Sequence, residues 1–259
     1  MRSSVVATWA LAVLVMLAGA APPAAGAPGL NFTWSPDGRC MRPLVTNQNF
    51  TCNANDATFI AVGSVEPSFS MTGFFGLEAT ISCQSEGPLP DWWQSFNPGS
   101  CRQTSASVRS TFVSGGGCYN LWSANTQGGI GAWQTALYPP PMPPLAPAAN
   151  HLVIKLVFIM ATARSSLNAS RVYEAFQLVV DTRRTVADPD SGVAACAGCG
   201  TGLTLTLDRV DLFGDDNIYD TVSEEQISRC LTWQSSTAEC WNAVPVRNTS
   251  WGAIKSFYR

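Results

Sequence analysis

The two cysteines closest together in the chain, in Cys196-Ala-Gly-Cys199, are the first residues whose spacing could carry chemistry. A Cys-x-x-Cys pair works as a redox dithiol when one thiol pKa is lowered by a helix N-terminus or a nearby cation. Here a strand-like run follows, Gly202 to Phe213, and no Lys, Arg or His lies within several residues. Haem attachment needs a histidine directly after the second cysteine, where Gly200 stands. Zinc would need Cys230 and Cys240 as further ligands, at a separation unlike that of common zinc sites. The pair therefore reads as a structural disulfide in a tight loop. A thiol-disulfide redox role for Cys196 and Cys199 ranks last among three functional readings.

The chain has nine cysteines. Joining sequence neighbours pairs Cys40 with Cys52, Cys101 with Cys118, Cys196 with Cys199 and Cys230 with Cys240, although sequence alone fixes no connectivity. Cys83 is then the free thiol. It lies on the apolar face of an alternating run, where a small thiol needs no partner.

Other constellations are weaker. Asp208, Asp211, Asp215, Asp216 and Asp220 form an acidic run, with Asp215, Asp216 and Asp220 as weak calcium candidates. The spacing of an EF-hand loop is missing, and a solvated loop is the preferred reading. No metal and no cofactor is expected. His151 is the only histidine, and no Gly-x-Ser-x-Gly elbow accompanies it. Glu78, Glu86, Glu174, Glu224 and Glu225 sit in no recognisable glycosidase pairing. No residue is therefore singled out as catalytic. Four of the nine tryptophans, Trp92, Trp93, Trp122 and Trp133, lie in loop-like sequence and are candidates for stacking on a sugar. The preferred reading packs at least half of them over the ends of the fold, as large aromatics usually do. Glycosylation sequons occur at Asn31, Asn49, Asn168 and Asn248.

The elements that must position these residues follow from composition and periodicity. The chain has 259 residues, 46% hydrophobic and only 13% charged, enough for a sizeable core. The net charge of -3 and the lack of any basic run argue against nucleic acid as a partner. Residues 1–27 read as a secretory signal peptide: Arg2, an apolar run from Val5 to Ala18, then Ala18-Gly-Ala20 and Ala25-Gly-Ala27 as cleavage patterns. The apolar run is too short to span a bilayer, so no membrane span is expected after cleavage. Residues 28–259 are expected to form one domain, secreted or at the cell surface, with a Pro-rich surface strap at 139–147.

Strands are expected over Asn31–Trp34, Phe59–Val65, Phe75–Cys83, Thr104–Val113, His151–Ala161, Val172–Val180, Gly202–Phe213 and Ile227–Trp233. In Phe75–Cys83, the residues Phe75, Leu77, Ala79, Ile81 and Cys83 share one face. His151–Ala161 is apolar on both faces, which suits a covered central strand. In the Gly202–Phe213 run the inward set changes parity between Leu207 and Val210, which requires a β-bulge near Asp208-Arg209. Cys118–Trp122 reads as a helical turn and Ser250–Tyr258 as a short helix capped by Ser250. Together these indicate an all-β, disulfide-stabilised β-sandwich, with a jelly roll as the alternative.

Asn31-Phe-Thr-Trp34, Phe50-Thr-Cys52-Asn53, Leu89-Pro-Asp-Trp-Trp93-Gln, Gly99-Ser-Cys101-Arg-Gln-Thr, Cys196-Ala-Gly-Cys199, Leu231-Thr-Trp-Gln234 and Thr249-Ser-Trp-Gly-Ala-Ile-Lys-Ser-Phe-Tyr-Arg259 occur in this order. In that order the chain resembles a group of uncharacterised secreted bacterial proteins. The resemblance spans nearly the whole mature chain and implies export and a β-rich fold; it implies no activity. In the group the cysteine pair leads into Pro-Val-Cys-Ile-Val-Leu, whereas here Gly200-Thr-Gly-Leu-Thr-Leu follows and the third cysteine is missing. The leading functional reading is a non-catalytic extracellular module that binds a surface polymer or a protein. A secreted hydrolase whose acidic residues meet only in the fold comes second.

Overall fold

The computed structural model describes residues 28–40, 43–96, 99–112, 117–122, 126–134, 150–162 and 166–234, with backbone only for Trp133 and Gln134. The expected signal peptide, the Pro-rich strap, Cys240, Asn248 and the C-terminal helix lie outside these residues.

Alternating apolar side chains and Gly/Pro punctuation produce strands almost throughout. In chain order they are β1 Gly29–Trp34, β2 Asn47–Gln48, β3 Thr58–Glu66, β4 Met71–Thr72, β5 Gly76–Ser85, β6 Ala106–Arg109 and β7 Tyr119–Asn120. Then follow β8 Thr126–Gln134, β9 His151–Met160, β10 Ser166–Leu167, β11 Tyr173–Asp181, β12 Leu203–Phe213, β13 Tyr219–Val222 and β14 Cys230–Trp233. One sheet has the order β1-β3-β11-β6, with β7 also on β11. The larger sheet has the order β2-β14-β12-β5-β9-β8, with β13 also on β12. β4 and β10 form a separate short pair. Leu30, Phe32, Phe176 and Leu178 of the first sheet pack with Leu77, Ile81, Leu156, Leu205 and Leu231 of the second in one core. The architecture is a β-sandwich.

Two close approaches explain why glycine stands in the middle of strands. Gly63 of β3 is the direct partner of Phe176 on β11, and Gly128 of β8 is that of Phe158 on β9. In each case the phenyl ring lies over the glycine, where a Cβ would come within 2.3 Å of it. The aromatic ring covers backbone that glycine leaves bare.

The two sheets differ in what lies outside them. β11 is buried along eight successive residues, including Glu174 and Gln177. Those polar groups are satisfied by the segment after β1, which crosses the outer face. The Glu174 carboxylate accepts the Cys40 N–H at 2.8 Å, and Gln177 Nε2 donates to the Gly38 carbonyl at 2.8 Å. Gly38 has φ +73 and passes so close that a Cβ would meet Gln177 at 2.5 Å. The larger sheet shows the opposite. In β9, Leu152, Ile154, Leu156, Phe158 and Met160 face the core, but Val157 and Ile159 are 43% and 52% exposed. The expectation that β9 is covered on both faces is therefore corrected.

Three further expectations change. Cys118–Trp122 is extended, because Tyr119 N–H donates to the Val172 carbonyl and Leu121 N–H to that of Glu174, adding β7 to the sheet. Phe75 does not share the inward face of β5; Phe74 fills the core and Phe75 precedes the strand. The disulfides join distant segments rather than sequence neighbours: Cys40–Cys118, Cys52–Cys199 and Cys101–Cys196. The Cys40–Cys52, Cys101–Cys118 and Cys196–Cys199 pairings are thus replaced. Cys230 is disulfide-bonded, and its expected partner Cys240 lies outside the described residues. Cys83 is free and fully buried on the core face of β5, and burial pushes its thiol far above the usual range.

Non-reducing peptide mapping is expected to recover Cys40–Cys118, Cys52–Cys199 and Cys101–Cys196; any bridge containing Cys83 contradicts the fold. Gly63→Ala tests the ring contact. Alanine in a strand gains about 0.5–1 kcal/mol over glycine. Phe176 is fully buried and packs on Phe32 at 6.0 Å, so it has little room to yield. Overpacking of about 1–3 kcal/mol should win, so urea denaturation should find the variant less stable than the parent.

Candidate functional site

Most residues singled out by sequence prove to be structural. Trp92, Trp93 and Trp122 are buried, in keeping with the packed reading for at least half of the four, and are not open to stack on a sugar. Trp233 is the hub of an aromatic cluster, with ring centroids 4.4 Å from Phe50, 4.9 Å from Trp92 and 5.3 Å from Trp93. Trp122 packs instead between Phe74 and Phe158. The Trp133 side chain lies outside the described residues.

Cys196 and Cys199 belong to the Trp233 end of the sandwich. The Trp233 indole donates to the Cys199 carbonyl at 2.7 Å, and Trp92 N–H donates to the Ala197 carbonyl at 3.0 Å. Both cysteines are buried, and each is bonded to a different segment, so the Cys-x-x-Cys pair is not a dithiol couple. Arg102 closes the same end. Its guanidinium lies 3.5 Å over the Trp92 ring and donates to the carbonyls of Trp92, Asp181 and Arg183. Burial lowers its pKa to about 10.

The acidic run separates into different tasks. Asp211 is buried and accepts hydrogen bonds from the hydroxyls of Tyr219 and Thr221, both at 2.8 Å, while Arg209 pairs with it at 2.9 Å. Asp220 is buried and accepts the Ser68 N–H at 2.7 Å. Asp215 and Asp216 are exposed in the β12–β13 loop. Among the described residues no three metal-ligating side chains converge, so Asp215, Asp216 and Asp220 do not assemble a calcium site.

Asp208 is the extra residue of the expected bulge, where the β12–β5 register shifts between Leu207 and Arg209. Its carboxylate accepts the Ser82 hydroxyl, and the charges of Arg229 and His151 act on it. Burial outweighs these stabilising contacts and raises the Asp208 pKa above its ordinary value. His151 is buried at the start of β9, opposite Gln84.

A cleft that sequence reasoning did not find sits at the other end of the larger sheet. Strand pairing puts Gln127, Ile159, Gly76, Phe213 and Tyr219 in one row across β8, β9, β5, β12 and β13. Gly76 leaves that row low, and Phe75 projects beside it with its ring stacked on Phe213, centroids 6.5 Å apart. Tyr219 lies 5.5 Å from Phe213 on the other side and is 50% exposed. Its hydroxyl is tied to Asp211, so the ring is held in place. The β12–β13 loop forms the wall. Asp216 and Asn217 both take left-handed backbone, φ 58 and 61, which Asp and Asn tolerate better than most residues. Together Phe75, Phe213, Asp215, Asp216, Asn217 and Tyr219 line most of an open cleft of about 460 Å³. A sequence signal existed: once the bulge changes parity, Phe213 must face outward beside the Tyr219 hairpin strand.

No family model matches the chain. No curated protein matches it. Among solved structures it is similar to a cohesin module from a Clostridium perfringens ATCC13124 family 33 glycoside hydrolase. The two share 8% identity over 80% of this chain and 97% of that one, with a TM-score of 0.33. Similarity at that level bears on neither ligand nor partner. Among the described residues no helix is long and apolar enough to cross a membrane. The disulfides point to an oxidising compartment.

The raised Asp208 pKa sets a pH dependence. Between the ordinary aspartate value and the raised one, the folded state holds a proton that the unfolded state releases. Asp208 therefore costs stability as pH rises through that interval, and the cost is complete above it. Asp208→Asn keeps an acceptor for Ser82 and removes the charge. The variant should be the more stable protein at neutral pH, with the difference shrinking toward pH of about 4. Urea midpoints that differ equally at both pH values would remove this assignment.

Proposed function

We propose that the chain is a secreted, non-catalytic extracellular module that holds a surface polymer or a protein partner against the Phe75–Phe213–Tyr219 cleft. The observation that carries this reading is an open aromatic cleft on the uncovered face of the larger sheet. A soluble fold normally buries such rings, and contiguous exposed apolar surface marks interaction sites. Val157 and Ile159 extend the apolar surface from the cleft along β9. Tyr219 is pinned through Asp211, so little side-chain freedom is lost when a ligand covers it. Export is supported by the disulfides, by the signal-like N-terminus and by the resemblance to secreted bacterial proteins.

A hydrolase has less support. Polar groups do meet at the bulge, but the Ser82 hydroxyl donates to the Asp208 carboxylate rather than to an imidazole base. That cluster also lies six residues along β5 from Gly76, about 20 Å from the cleft by strand rise.

Binding of the mature protein to a panel of cell-envelope polysaccharides and exported proteins is the direct test. For any ligand found, Tyr219→Ala should weaken binding at least about tenfold, as truncation of an interface anchor does, with the β-sheet circular dichroism retained and the melting temperature lowered only by the lost bond to Asp211. Full binding by Tyr219→Ala and Phe213→Ala would rule out the cleft.

A further inference from the structure

Building on the cleft reading, we propose that this site takes a cationic side chain, an arginine or lysine presented by an extended segment of a protein partner. The cleft is aromatic on its floor and acidic on its lip. Phe75, Phe213 and Tyr219 line it, Tyr219 half-exposed and the other two partly so, and an aromatic ring within reach of a cation attracts it through its quadrupole. Asp215 and Asp216 are exposed on the loop above them. Neither carboxylate has a hydrogen-bond or ion-pair partner among the described residues, unlike the other charges of this face. Lys155 pairs with Glu78, and Arg209 pairs with Asp211. Among the described residues that line the cleft there is no Lys or Arg. The wall therefore carries two uncompensated negative charges beside apolar rings. A long side chain with an apolar stem and a charged tip suits both, its methylenes against the rings and its tip drawn toward the acidic loop. A guanidinium also stacks flat on aromatic faces, which favours arginine over lysine. A neutral glycan would use the rings and leave both carboxylates unanswered.

The rest of the sheet face suits an extended segment. Ile159, Val157 and Lys155 follow one another down β9, beside Gly129 and Gly131 of β8, whose Cβ positions meet nothing within 4 Å. The surface leading away from the cleft is thus low on one side and apolar at its near end, with room for neighbouring residues of the partner.

The test uses ¹⁵N-labelled mature protein and three probes: a short acetylated, amidated Gly-Arg-Gly peptide, the same peptide with citrulline, and a neutral β-linked glucose oligomer. The proposal expects the arginine peptide to shift the Asn217 and Tyr219 amides. The citrulline peptide should do so far more weakly. Raising salt from about 50 to about 500 mM should weaken the interaction by screening exposed charges. The double variant Asp215→Asn, Asp216→Asn should keep its fold, since asparagine also accepts left-handed backbone. It should bind the arginine peptide roughly tenfold more weakly, the scale of two exposed ion pairs. Equal binding of the arginine and citrulline peptides, or no effect of the double variant, overturns the cationic assignment. If the glucose oligomer binds at Tyr219 and ignores the double variant, the cleft remains the binding site and its occupant is a glycan. If a natural ligand is bound in full by Tyr219→Ala, the cleft reading itself falls.

Discussion

One extra residue in β12 determines what both faces of the larger sheet present. Before the bulge, Leu203, Leu205 and Leu207 enter the core; after it, Val210 and Leu212 do. A regular strand would have to turn one of these sets to solvent, because side-chain direction alternates strictly. Placing Asp208 out of register keeps five apolar residues inside. It also puts Arg209, Asp211 and Phe213 on the outer face, where Arg209 pairs with Asp211 and Asp211 fixes Tyr219. The core requirement and the cleft are thus consequences of the same local irregularity. The bulge has a cost, since the carboxyl of Asp208 is half-removed from water and must be met by Ser82 and Arg229.

The ends of the sandwich are treated differently. At the Trp233 end, the Cys196–Cys199 loop is bonded to Cys52 and Cys101, bridges that span 147 and 95 residues of chain. In the chain-entropy view long closed loops remove the most freedom from the unfolded state, on the order of 4–5 kcal/mol each. Arg102 and the tryptophan cluster fill the space these bridges enclose. Gly198, at φ +103, lets the loop pass Pro90 where a Cβ would meet it at 2.1 Å. Rigidity is concentrated at this end. Exposed rings are concentrated at the other, where the β12–β13 loop has no disulfide among the described residues.

The parts of this arrangement that depend on near neighbours are legible in the sequence. Alternation identifies β5 and places Cys83 inward, and the change of parity between Leu207 and Val210 locates the bulge at Asp208. The parts that depend on distant segments are not. Cys52 and Cys199 meet because β2, β14 and β12 lie side by side, a fact absent from cysteine spacing. Trp92 and Trp93 look like loop tryptophans until the loop is seen folded beneath Trp233. β9 reads as covered on both faces because Val157 and Ile159 are apolar; what lies over a sheet is a tertiary matter. The cleft is hidden for a related reason: alternation assigns Phe75 to the inward face of β5, while Phe74 takes that place.

The two outer faces show why the misreading of β9 matters. Over β11 the chain spends a whole segment, Asp37 to Cys40, to cover polar and apolar groups alike, and ties it down with the Cys40–Cys118 bridge. Among the described residues no segment does this for Val157 and Ile159. Covering the half of each side chain that is still exposed would contribute about 0.7–1.5 kcal/mol each, together a noticeable share of a domain's net stability. The apolar surface beside the cleft therefore represents free energy that folding leaves uncollected and that association can recover. The rings of Phe213 and Tyr219 are held in advance by the bulge and by Asp211, so covering them requires little further ordering of the protein.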